Sequence, residues 1–210
     1  MEPDTLFETA MAAHRRGDLD AARKAYEEVL ENDPQHAGAW MNLGVLHRAT
    51  GASEAALAAL RRAEGLAPDH EGILYNLGNA LMDSDDLDAA IEVYRRALQT
   101  APTFADAYNN LGEAFIRKGD RKAAIAQFRA GLERESTHTG LLVNLGNALH
   151  HEGESDAALS CLSQALEASP NSIAIRRNLG NTLRTLGYLS AAEDMLQGAL
   201  ERAPNDANAQ

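Results

Sequence analysis

Asparagine stands at Asn42, Asn76, Asn110, Asn144 and Asn178, 34 residues apart each time. Each opens nearly the same phrase: NLGVLH, NLGNAL, NLGEAF, NLGNAL and NLGNTL. Ala22, Ala56, Ala90, Ala124, Ala158 and Ala192 keep the same step, as do Gly44, Gly78, Gly112, Gly146 and Gly180. Proline follows it at Pro34, Pro68, Pro102, Pro170 and Pro204, with Ser136 in the one skipped slot. A fixed period of this size marks a repeat architecture, in which each unit buries its apolar face against its neighbours and no single central core is needed. Six units fit without an insertion: 3–36, 37–70, 71–104, 105–138, 139–172 and 173–206. Residues 207–210, ANAQ, are in register to begin a truncated seventh.

Within a unit numbered from 1 to 34, positions 4, 7, 8 and 11 hold Leu74, Leu77, Gly78 and Leu81, or Tyr108, Leu111, Gly112 and Phe115. This i, i+3, i+4, i+7 spacing draws one apolar stripe along a helix. Glycine at position 8 costs a helix about 1 kcal/mol relative to alanine. Its recurrence predicts close approach of a second helix to that backbone. A turn follows near position 15, as in RRGD at 15–18, KGD at 118–120 and HEGE at 151–154, where Gly ends one helix and small polar residues start the next. The second helix carries Ala at position 20, a large residue at 24 (Tyr26, Leu60, Tyr94, Phe128, Leu162, Leu196) and a small one at 27 (Ala63, Ala97, Gly131, Ala165, Ala199). Proline at position 32 is expected to stop it. His36, His70 and His138, all at position 34, read as solvated loop residues.

The assembled pattern, large-x2-Leu-Gly-x2-large, then Ala-x3-large, then small, then Pro, resembles the tetratricopeptide repeat over residues 3–206. The resemblance implies an all-α, right-handed superhelical solenoid of six helix-turn-helix repeats that serves as a non-catalytic interaction scaffold. Two departures stand out. Unit 1 has Thr9 and Ala10 in place of Leu-Gly, and unit 6 has Arg176 where a large apolar residue is expected.

The repeated Asn, at position 6, lies off the apolar stripe. Positions 2, 6, 9 and 13 share another helix face. In a stacked array those faces form one surface, commonly used for binding. An amide side chain has donors and an acceptor, and can pair with a peptide's backbone N–H and C=O together. Two readings stay open: the Asn row bridges adjacent first helices, or it holds an extended peptide. The row resembles the asparagine ladder of O-linked N-acetylglucosamine transferases, and YNNLGEAF at 108–115 is similar to units of that family. The peptide-binding candidates are Asn42, Asn76, Asn79, Asn110, Glu113, Asn144, Asn147, Asn178 and Asn181. Asp83, Asp106 and Glu113 suggest an acidic middle of the groove; Arg117, His150, His151, Arg177 and Arg184 suggest a more basic end. Such asymmetry would orient a charged peptide. The carboxylate clamp of chaperone adaptors is not matched: position 5 reads Phe7, Met41, Tyr75, Asn109, Val143 and Arg177, and position 2 has neither Lys nor Arg.

Other functions find little support. The net charge of −12 argues against nucleic acid, which needs a basic stripe, and against an anionic membrane surface. A single cysteine, Cys161, forms no internal disulfide and is expected to be a buried thiol. His150 and His151 are adjacent, so they point about 100° apart on a helix and do not suit one metal ion. No phosphate loop, nucleophile motif or carboxylate pair is present, so neither a cofactor nor a metal is expected. MEPDTLFETA lacks the features of a secretory signal, and no apolar run reaches the roughly 18 residues of a span. The expectation is a cytoplasmic protein with no membrane insertion. Its partner is a protein or peptide, with self-association through the terminal repeats as a further possibility. The alternative is the N-terminal substrate-recognition arm of a larger glycosyltransferase, sulfotransferase or methyltransferase, with catalysis outside these residues.

Overall fold

The computed structural model describes residues 3–200, and among them it is built of twelve helices and no strand. The end of the sixth expected unit, with Pro204, and the start of a seventh at 207–210 lie outside the described residues. The chain divides into two compact units, Met1–Pro102 and Thr103–Gln210.

The first unit contains α1 (Pro3–Arg15), α2 (Leu19–Asn32), α3 (Ala37–Ala49), α4 (Ser53–Leu66), α5 (Glu71–Asp83) and α6 (Leu87–Thr100). They pair as the hairpins α1/α2, α3/α4 and α5/α6, with α2 against α3, α4 against α5, and α3 beside α5. The second contains α7 (Ala105–Lys118), α8 (Arg121–Leu132), α9 (Thr139–His151), α10 (Ser155–Ala168), α11 (Ile173–Thr185) and α12 (Leu189–Leu200). Here α7/α8, α9/α10 and α11/α12 are the hairpins; α8 packs on α9, α10 on α11, and the first helices α7, α9 and α11 lie side by side.

Each hairpin turns at position 15. Gly17, Gly51, Gly119, Gly153 and Gly187 have φ between 77° and 86°, and Asp85 takes the same left-handed place at φ 60°. This region excludes most side chains, which explains the glycine. In three hairpins an aspartate then caps the second helix. Asp18, Asp86 and Asp120 accept from the N–H groups of Ala21, Ala89 and Ala123. Such a cap stabilises a helix by about 1 kcal/mol.

Position 8 has the packing reason the sequence implied. A Cβ on Gly78 would lie 2.5 Å from the Tyr94 ring; on Gly44 and Gly146 it would meet Leu60 and Leu162 Cγ at 2.6 and 2.7 Å. The Phe128 ring occupies the same place over Gly112. The residue at position 24 therefore sits directly on the backbone of its own first helix. Tyr26, Leu60, Tyr94, Phe128 and Leu162 are fully buried there.

The second helices α2, α4, α6 and α10 end two residues before Pro34, Pro68, Pro102 and Pro170, but proline is not required to end one. α8 stops at Leu132 although Ser136 replaces proline, with the Glu135 N–H closing onto the Gly131 carbonyl at 2.9 Å. Nor are the position-34 histidines simple loop residues. His36, His70 and His138 are N-caps: each Nδ1 accepts from the N–H of Ala39 (3.0 Å), Ile73 (3.4 Å) or Leu141 (3.2 Å). A ring reaches where a carboxylate would because position 2 is Gly38, Gly72 or Gly140, over which the imidazole Cε1 sits at 3.2–3.3 Å from where a Cβ would stand.

Arg176 makes the contact of its repeat position, although its Nε is buried without a hydrogen-bond partner. Its Nη2 donates to the Pro170 carbonyl at 2.8 Å, the bond that Trp40 Nε1 makes to Pro34 at 3.0 Å from the same repeat position. Arginine there replaces the indole donor while its stem supplies packing surface.

Candidate interaction face

The five repeated asparagines do not behave alike. In the first unit, the hydroxyl of buried Tyr26 lies 3.3 Å from His14 Nδ1, with Asn42 close by. Burial raises the pKa of that phenol, and Arg15 and Asn42 oppose the rise. Asn76 Nδ2 donates to the Gly72 carbonyl of its own helix at 2.8 Å. In the second unit, Asn110 Oδ1 accepts from Asn109 at 3.3 Å. Asn144 Nδ2 reaches back to α7, donating to Glu113 Oε1 at 2.8 Å and Asn109 Oδ1 at 3.0 Å. It thus bridges adjacent first helices. Asn178 lines an open cleft on α11.

Position 9 differs between units too. Asn79 is buried, 8% exposed, and its Oδ1 accepts a 2.6 Å hydrogen bond from Tyr94. It belongs to the core of its hairpin and is not presented on a groove. Asn147 and Asn181 are half-buried and line clefts.

The acids expected in the groove are engaged within the protein. Asp83 Oδ2 pairs with Arg48 Nε at 2.5 Å. Asp106 Oδ1 lies 3.0 Å from His138 Nε2. With Nδ1 committed as the cap acceptor, the His138 proton sits on Nε2 and is donated to Asp106. Glu113 is held by Asn109 and Asn144.

Three adjoining clefts run along α7, α9 and α11. One of about 440 Å³ is lined by Glu113, Ile116, Arg117, Arg121, Asn144 and His151, among others. A second, about 370 Å³, lies over α9 and α11, with Asn147, His150, His151, Asn178, Asn181, Thr182, Arg184 and Thr185. A third, also about 370 Å³, includes Asn109, Glu113, Val143 and Asn144. Shared residues join them: Glu113 and Asn144 in the first and third, Asn147 and His151 in the first and second. Asn110 and Arg177 line none of these three. Asn109, Arg121, Thr182 and Thr185 do contribute, and period alone did not single them out. Asn109 shows why: it stands at position 5, where the other units carry Phe, Met, Tyr, Val and Arg.

No group of three His, Cys, Asp or Glu that could hold a metal occurs among the described residues. None of the described helices is long and apolar enough to cross a membrane.

Stacked helical hairpins whose first helices share an open polar face define an α-helical repeat protein of the interaction type. The chain belongs to the tetratricopeptide repeat family: models described as tetratricopeptide repeat match residues 7–71 and 114–173, and 149–210, and a TPR repeat model matches 78–119. Membership in this family implies a role in protein–protein interaction. No curated protein matches the chain in sequence. Solved structures similar to it include PilW, a widely conserved type IV pilus biogenesis factor, at 19% identity and TM-score 0.91, covering 99% of this chain and 96% of that one. YrrB, a TPR protein with an unusual peptide-binding site, is 23% identical at TM-score 0.70, over 90% of this chain and 97% of that one. MamA is 25% identical at TM-score 0.70, over 80% and 92%. Likeness to PilW and YrrB at these identities carries the fold alone.

Proposed function

We propose that this protein is a non-catalytic scaffold that holds an extended segment of a partner protein along α7, α9 and α11. The observation that carries the reading is the continuity of the three clefts through Glu113, Asn144, Asn147 and His151. Amide side chains line the row throughout, with Asn109 and Asn144 in one cleft and Asn147, Asn178 and Asn181 in another. Such a lining suits a peptide backbone, whose N–H and C=O groups need paired donors and acceptors at every residue. The same face would recruit substrate if the array were joined to a catalytic domain.

The test is selection of binders from a random-peptide library displayed on phage, followed by affinity measurement on the selected peptides. Replacing Asn147, Asn178 and Asn181 together with Ala removes three backbone partners, each worth about 0.5–1.5 kcal/mol. The expected loss is about tenfold or more for all selected peptides, whatever their charge. Unchanged affinity with helicity intact by circular dichroism, or no selectable peptide, defeats the reading.

A further inference from the structure

Repeat position 12 of one unit faces position 13 of the next. Between α3 and α5 that slot is an ion pair, Arg48 with Asp83. Between α9 and α11 the same slot holds His150 and Thr185, so the basic group remains and the carboxylate is missing. The His150 Nδ1 atom is buried and has no hydrogen-bond partner. A buried ring nitrogen without a partner is uncommon in folded proteins and asks for an explanation. Both residues line the α9–α11 cleft.

The rest of that cleft points the same way. His151 and Arg184 join His150, and Asn147, Asn178, Asn181, Thr182 and Thr185 complete the described lining without a single Asp or Glu. Arg184 is exposed in the last turn of α11, and no carboxylate lies within ion-pair distance of it among the described residues. The chain as a whole carries a net charge of −12 with histidine counted neutral, so a carboxylate-free cleft whose one formal charge is the Arg184 cation is a local reversal. Its basic groups sit at positions 12 and 13, away from positions 2, 5 and 6 that a carboxylate clamp would require.

We propose that the α9–α11 cleft is a subsite for one acidic side chain, Asp or Glu, of the bound peptide, whose carboxylate takes the place that Asp83 holds beside Arg48. The inference rests on the peptide reading of the face. It adds a fixed polarity, since the acidic residue lies over α9 and α11 while the segment over α7 meets Glu113. A carboxylate in a partly enclosed cleft with Arg184 gains more than an exposed pair would.

The experiment uses the same displayed library on the full chain. Wild-type selection is expected to enrich Asp or Glu at one position of the aligned peptides. Changing that residue to Asn or Gln is expected to weaken binding about tenfold. Thr185→Asp restores the missing acid inside the protein and is expected to abolish the preference, and Arg184→Glu to reverse it. Both sites are exposed, so folding is not at stake. Peptides that bind through the Asn row but show no acidic preference would overturn the subsite while leaving the scaffold reading in place. An acidic preference untouched by either variant would also overturn it. No selectable peptide would end both.

Discussion

Tyr94 Oη donates a 2.6 Å hydrogen bond to Asn79 Oδ1 inside the third hairpin, joining α6 to α5 beneath the backbone of Gly78. This contact removes Asn79 from the binding candidates and makes it part of the core. Tyr94→Phe leaves the ring over Gly78 but takes this donor away from a buried amide oxygen. The expected loss is about 1–3 kcal/mol. Urea denaturation measures it, and Tyr94→Phe combined with Asn79→Leu is expected to recover part of the loss.

The position-8 glycines rank by what lies over them. Gly112 faces the flat Phe128 ring, while Gly146 faces the branched end of Leu162. Both side chains are fully buried, but a leucine can adjust about two torsions, whereas the rigid ring must move as a whole. Gly112→Ala is therefore expected to destabilise by about 1–3 kcal/mol, and Gly146→Ala by less, because the gain in helix propensity is the same at both sites and the strain it offsets is smaller beside leucine. Equal midpoints in urea for the two variants would contradict this account.

The capping histidines make a separable pair of contacts. His138 accepts from the Leu141 N–H through Nδ1 and faces Asp106 through Nε2. His138→Ala loses both, and a loss of about 1 kcal/mol is expected. His138→Asn keeps a good cap and gives up only the exposed contact to Asp106, which is worth less than about 1 kcal/mol. Thermal melts of the two variants should differ, with Asn the more stable.

Burial pushes the Cys161 thiol up from its ordinary range, and nearby Arg129 only partly opposes this. The thiolate is the reactive form, so alkylation of the native protein near pH 8 is expected to be slower than that of the unfolded chain. The linkage sign follows. A thiol with a raised native pKa keeps its full contribution below the unfolded value and loses it as pH rises through the native one. Tyr26, raised by burial in the same direction, adds to the loss at still higher pH. Stability measured by urea is expected to fall on the alkaline side, and the Cys161→Ala variant should show a smaller drop between pH 8 and pH 10.

The 34-residue period determined the helical hairpins, their turns at Gly17 or Gly119, and the large residue at position 24 over the glycine at position 8. These are local consequences. Helix periodicity, left-handed turns and a missing Cβ act within one unit, so each recurs wherever the letters recur. The fate of the repeated asparagines was decided only in three dimensions. Asn76 turns to its own Gly72 carbonyl, and Asn144 to Glu113 and Asn109 of the preceding repeat. An amide bonds whichever partner stands within about 3 Å, and that partner comes from a neighbouring helix whose letters do not repeat. The same holds for the charged slot, which is an ion pair at Arg48 and Asp83 and an unmatched His150 beside Thr185. Position numbers predict which residues meet; only the packed helices decide which of them find each other satisfied.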